Sequence, residues 1–156
     1  MARVNVGVDP KLLSDQHLVA ESVEITMITG ALRKDGYVIK GRVPDKFPMG
    51  TGHINFFKNK LVYLKRRLDI VNEEMIRRTF KPGTKIDLDE FPEILHGDWT
   101  PSLQDSMILR VRVADRLITR ANGKSASRLH RYNKRYLGWY NKCLGNKIVE
   151  SDLFHV

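Results

Sequence analysis

The chain has 156 residues, with 27 Lys/Arg against 18 Asp/Glu, 42% hydrophobic residues and a single cysteine, Cys143. Such a length suits one domain with a real core, the composition excludes a disordered chain, and one thiol excludes an internal disulfide and agrees with a reducing compartment. Apolar runs are short and broken by charge, and "MARVNVGVDP" lacks a signal-peptide core, so the chain reads as cytoplasmic with no membrane partner.

In chain order, the first dozen residues read as extended, with Pro10 discouraging regular structure. Ser14 suits a helix N-cap and Asp15 its first turn, where an acid complements the dipole, and Glu21 reads as a helix-surface acid. The helix is expected to run to about Thr29 and stop near Gly30. At about 100° per residue, Leu18, Ser22 and Ile25 share one side, while Gln16, His17, Ala20, Glu24 and Met27 share the other. Residues 35–51 form a loop rich in Pro and Gly. Ile54, Phe57, Leu61, Leu64, Leu68, Val71 and Met75 then recur at spacings of 3 and 4, an apolar stripe predicting one long helix of about 25 residues. Lys58, Lys65, Arg66, Arg77 and Arg78 would decorate its other faces. Pro82 and Gly83 close it, an acidic connector follows over 83–102, and His96-Gly97-Asp98 reads as a turn. A further helix is expected from Leu103 to about Thr119, with Met107, Val111, Ala114 and Ile118 inward. Few stretches read as strands, so the class is all-α, a single compact domain of about three main helices.

Charge is unevenly placed. Residues 1–100 hold 16 basic and 14 acidic side chains, whereas residues 101–149 hold 11 basic ones against Asp105 and Asp115 alone. A concentrated basic segment points to a polyanion, most simply nucleic acid; a solubilising surface is the other reading. Arg112, Arg116 and Arg120 recur every fourth residue, and Lys124, Arg131 and Lys134 follow them. In "RLHRYNKRYLGWYNK" cations alternate with Tyr132, Tyr136, Trp139 and Tyr140, a pattern suited to phosphates and stacked bases or, equally, to aromatic packing on the helices. "GKS" at 123–125 lacks the earlier glycine of a phosphate loop, and the five histidines show no metal-ligand spacing. His53 follows "GTG" at a helix start, where backbone N–H groups can hold a phosphate or simply cap the helix.

Three blocks add a resemblance. "ARVNV" with "SDQHLVAESVE", then "MGTGHINFFKNKLVYLKRR", then "FPEILHGDWTPS" occur in this order and resemble the phage endonuclease V family of pyrimidine-dimer DNA glycosylase/AP lyases. The likeness covers roughly residues 2–120 and continues weakly to "RYNKRY", which implies a domain over 1–136 and an extension over 137–156. It implies a compact all-α fold with the N-terminal segment threaded between helices, and a chemistry without metal or cofactor. Met1 would be removed, leaving the amine of Ala2 to attack C1′ of a damaged nucleotide, with Glu24 as the assisting carboxylate. If Met1 is retained, its own amine takes that place. The resemblance puts Arg3 on a phosphate and Gln16 and His17 near the damaged site, on double-stranded DNA that is damaged or modified, with the protein acting as a monomer. Val23 and Met27 depart from the family pattern, which has arginines there, so dimer specificity is the part of the resemblance least supported. A nucleic-acid-binding protein on the same scaffold, without catalysis, is the competing expectation.

Overall fold

The computed structural model describes residues 4–83 and 85–121, with side chains as far as Val113. The described residues form four α-helices, α1 (Asp15–Lys34), α2 (His53–Phe57), α3 (Leu61–Arg77) and α4 (Leu103–Ala121), with three short 3-10 turns at Pro10–Leu12, Leu88–Glu90 and Glu93–Leu95. Among them there is no strand, only an isolated antiparallel bridge between Lys60 and His96. The protein is all-α. No helix among the described residues is long and apolar enough to cross a membrane. The expected boundary at residue 136 lies outside the described residues.

Two units can be distinguished, one built on Val19–Thr100 together with Val4, the other on Asn5–Leu18 together with α4. In the first, the stripe read from the sequence is the core: Phe57, Leu61, Leu64, Leu68, Val71 and Met75 are buried, joined by Ile25, Ile28 and Leu32 of α1. The stripe does not lie on one long helix, however. The chain breaks at Lys58–Lys60 because the connector pairs with it there. Gly97 donates its N–H to the Asn59 carbonyl at 3.0 Å and accepts from the Val62 N–H at 3.2 Å. A Cβ on Gly97 would lie 2.1 Å from that Asn59 oxygen, so only glycine permits the approach.

Helix α1 starts as expected. The Ser14 hydroxyl accepts from the His17 N–H at 3.2 Å and the Ser14 carbonyl from the Leu18 N–H at 2.9 Å. It runs five residues beyond Thr29, since a mid-helix glycine weakens a helix without ending it. The stop comes at Gly36, with φ of 71°, where the Tyr37 N–H returns to the Leu32 carbonyl at 2.8 Å.

The cations expected on the other faces of the stripe are held in ion pairs, and Lys65, Arg66 and Arg77 keep much of the side chain in solvent. Lys58 is buried beside Asp35, Lys65 pairs with Asp69, Arg66 with Asp98, and Arg77 and Arg78 both with Glu74. Acids of the connector serve the same end, Glu90 being held by Arg33 of α1 and by the Tyr37 hydroxyl.

In the second unit, Ser102 and Asp105 form a reciprocal cap at the start of α4, with N–H donors received at 3.1 and 2.9 Å. The row buried on α4 is Ser106, Leu109, Arg110 and Val113. Met107 and Val111, expected inward, are 40% and 62% exposed. The helix carries apolar residues on two sides, and periodicity alone does not choose between them. Ala114 and Ile118 lie beyond the described side chains.

Candidate active site

The first unit contains the part of the molecule with unusual chemistry, and α1 supplies it. From Glu24 round to Ser22, an arc of about 160° on that helix is buried, taking in Glu24, Ile28, Glu21, Leu32, Ile25, Leu18, Thr29 and Ser22. Two carboxylates therefore lie among aliphatic side chains. Glu21, expected on the helix surface, is instead fully buried in a two-pronged pair with Arg67 of α3, at 2.6 and 3.0 Å. Arg67 falls three residues after Leu64 and four before Val71, on the apolar face of α3, so its spacing already placed it inside. The pairing explains how two charges are tolerated there. Arg110 of α4, likewise buried and likewise missed, sits three residues before Val113 and four after Ser106.

Glu24 stands at one edge of this arc and is 3% exposed. Along the middle turns of the helix the arc beyond it is open to solvent and uncharged. Met27 is 55% and Val23 51% exposed, with Val19 beside them, and no charged residue interrupts α1 between Glu24 and Arg33. These are the two positions at which the resemblance leads one to expect arginine.

The N-terminal segment enters the same unit at Val4, whose side chain is fully buried. Its N–H donates to Nε2 of His53 at 3.2 Å, and Nδ1 of that ring lies 3.0 Å from the Pro48 carbonyl. His53, read from the sequence as a phosphate or capping residue, is 1% exposed with both ring nitrogens engaged by backbone. Its helix, α2, is a single short turn opened by Gly52 with φ of 95°. Around the ring gathers an aromatic cluster. Phe47 and Phe57 meet His53 edge-on at 5.4 and 5.2 Å, and Trp99 stacks on Phe47 at 5.6 Å and meets Tyr63 edge-on at 5.1 Å. Tyr63 is fully buried, and that burial pushes its phenol well above the ordinary range.

The remaining residues singled out from the sequence are placed as follows. Gln16 and His17 lie in the first turn of α1, half-buried, in the second unit. Arg112 is half-buried on α4; Arg116 and Arg120 belong to the same helix, beyond its described side chains. Ala2, Arg3, Lys124, Arg131 and Lys134 lie outside the described residues. Among the described residues no group of three His, Cys, Asp or Glu side chains comes together to hold a metal.

The sequence model of the family described as pyrimidine dimer DNA glycosylase matches residues 1–88, a stretch that includes Val4, Glu24, Arg67 and His53. Since that match spans more than half of the 156 residues, the chain belongs to the pyrimidine dimer DNA glycosylase family.

Proposed function

We propose that the protein is a DNA-repair glycosylase with AP-lyase activity, in which the N-terminal amine is the nucleophile and Glu24 the assisting carboxylate. Glycosylase action on DNA follows from the family; the lyase step and the residue roles are the reading put forward here. The observation that carries those roles is the position of Glu24. Burying a second carboxylate on the helix that holds Glu21 costs hydration even where the group has partners. A surface acid on this helix would be cheaper, and chemistry at that position supplies a reason for the expense.

The N-terminal nitrogen suits its part. An α-amine has a pKa of about 7.7–8.0, so about a tenth of it is neutral at pH 7, against well under a thousandth for an ordinary lysine. After loss of Met1, the lone pair of the residue 2 nitrogen attacks C1′, and the C1′–base bond breaks with its electron pair leaving on the base, which takes up a proton. Ring opening and loss of the second amine proton give an imine. Removal of a proton from C2′ then expels the 3′ phosphate by β-elimination. Glu24 stabilises the cationic centre at C1′ and carries the proton from C2′. Access to C1′ requires a kinked or extruded nucleotide, a few kcal/mol of unstacking that phosphate contacts must offset. Arg3, Gln16, His17 and the basic residues from Arg112 through Arg116, Arg120, Lys124, Arg131 and Lys134 are the proposed contacts on double-stranded DNA. The preferred lesion is a pyrimidine dimer or another damaged or modified base.

One observation favours a second reading. The exposed arc beside Glu24 carries Val23 and Met27, and it offers phosphate no cation before Lys34 in the last turn of the helix. A DNA-binding protein that has lost catalysis would tolerate such an arc. Borohydride reduction separates the two. The enzyme gives a covalent protein–DNA adduct on UV-irradiated or abasic duplex, and the binder gives none on either. Glu24→Gln is expected to keep DNA binding within about twofold while strand cleavage falls at least about 100-fold. Undiminished cleavage would remove Glu24 from the mechanism.

A further inference from the structure

We infer that His53 is a positioning residue for the N-terminal amine, anchoring the chain that leads to it through the bond from the Val4 N–H to Nε2. The inference rests on the amine-nucleophile reading above and names the group that seats that amine.

The bonding fixes the state of the ring. A carbonyl only accepts, so Nδ1 carries the proton it donates to Pro48 over 3.0 Å. Nε2 is then left with its lone pair and receives the Val4 N–H over 3.2 Å. Phe47 and Phe57 meet the ring edge-on at 5.4 and 5.2 Å and restrict its movement. The loop behind it is equally determined. Gly52 has φ of 95°, the His53 N–H returns to the Gly50 carbonyl at 3.2 Å, and a Cβ on Gly52 would come within 3.0 Å of the Pro44 ring.

Val4 explains why such an anchor is needed. A buried backbone N–H outside helices is ordinarily satisfied on a neighbouring strand, and none exists among the described residues. Val4 is fully buried, so its N–H has to find an acceptor inside the protein, and the imidazole provides it. Two residues of chain span at most about 7 Å, so the amine of residue 2 cannot stray further than that from the anchored nitrogen. A slack segment would displace the nucleophile by an ångström or more, and misplacement on that scale lowers rates by roughly 100-fold.

The test uses the full-length chain with three substitutions, His53→Phe, His53→Gln and His53→Asn. Phenylalanine keeps the ring but has no acceptor; the glutamine amide oxygen reaches the place of Nε2, and the asparagine oxygen only that of Nδ1. Folding is followed by circular dichroism. Binding is read by anisotropy on a duplex with a tetrahydrofuran site, which cannot form an imine. Single-turnover cyanoborohydride trapping on a true abasic duplex reads the amine. Binding is expected to stay within about twofold in all three, while trapping falls roughly 10- to 100-fold in the Phe and Asn variants and recovers most of its rate in the Gln variant. Wild-type trapping in the Phe variant overturns the inference. So does a Gln variant as slow as the other two with fold and binding intact, and so does failure of all three to fold, which would make His53 a residue of the core alone. Absence of an adduct with the unsubstituted protein is a different result and removes the amine reading itself.

Discussion

Glu21 and Arg67 are the two side chains whose removal the fold should tolerate least. Each is fully buried, and each neutralises the other through two hydrogen bonds. Glu21→Gln leaves the guanidinium buried without its counter-charge, and the expected loss is about 3–5 kcal/mol in urea denaturation at pH 7. The double replacement Glu21→Leu with Arg67→Met should recover most of that loss, because the cost lies in the orphaned charge rather than in the missing pair. Glu74 gives the acid side of the stability profile. Burial alone would push its carboxyl up, but hydrogen bonds from Arg77 and Arg78 outweigh this and hold it below the ordinary range. A carboxyl depressed on folding contributes stability that is present above the unfolded pKa of about 4.3 and is lost as pH falls through the lower folded value. Thermal melts should therefore show wild type ahead of Glu74→Gln at pH 7, with the gap closing between about pH 5 and pH 3. Glu90 and Asp98 are depressed in the same direction by Arg33 and Arg66, but as more exposed groups they add less.

At the scale of the elements, the junction between α2 and α3 depends on a single backbone approach. Gly97→Ala is expected to lose about 1–3 kcal/mol, since the new methyl meets a carbonyl oxygen rather than a flexible side chain. A denaturation midpoint equal to wild type would mean that the connector can withdraw without loss. This junction also shows where sequence reading succeeded and where it stopped. The spacing of Ile54 through Met75 identified the buried face, because burial obeys helical period even across a break. The break itself was invisible, since it is made by residues more than thirty positions further on, at His96 and Gly97. Helix α1 shows a similar division. Ser14 was legible as a cap from local chemistry, whereas Glu21 was read as a surface acid because its partner lies on α3. Glu24 was singled out through the family resemblance alone, for by itself its spacing reads more readily as a paired surface acid. His53 was noticed for its neighbours "GTG", yet nothing in that stretch announces Val4 as its partner.

For the whole molecule the governing quantity is charge. In residues 1–100 the basic and acidic side chains nearly balance, and many of the cations there are committed to acids within the fold, as with Lys58, Lys65, Arg66, Arg67, Arg77 and Arg78. The excess lies in residues 101–149. DNA affinity should accordingly fall with added salt, and replacing Arg131 and Lys134 by Gln should lower the slope of log K against log salt by about 2. An unchanged slope would take those two side chains off the phosphates. The aromatic cluster around His53 has a practical corollary of another kind. Only two tryptophans occur in the chain, and Trp99 stacks on Phe47, the ring that also meets His53. With Trp139→Phe, the indole of Trp99 becomes the sole strong emitter. Its fluorescence then offers a spectroscopic window on whether Val4 is seated on His53 or released.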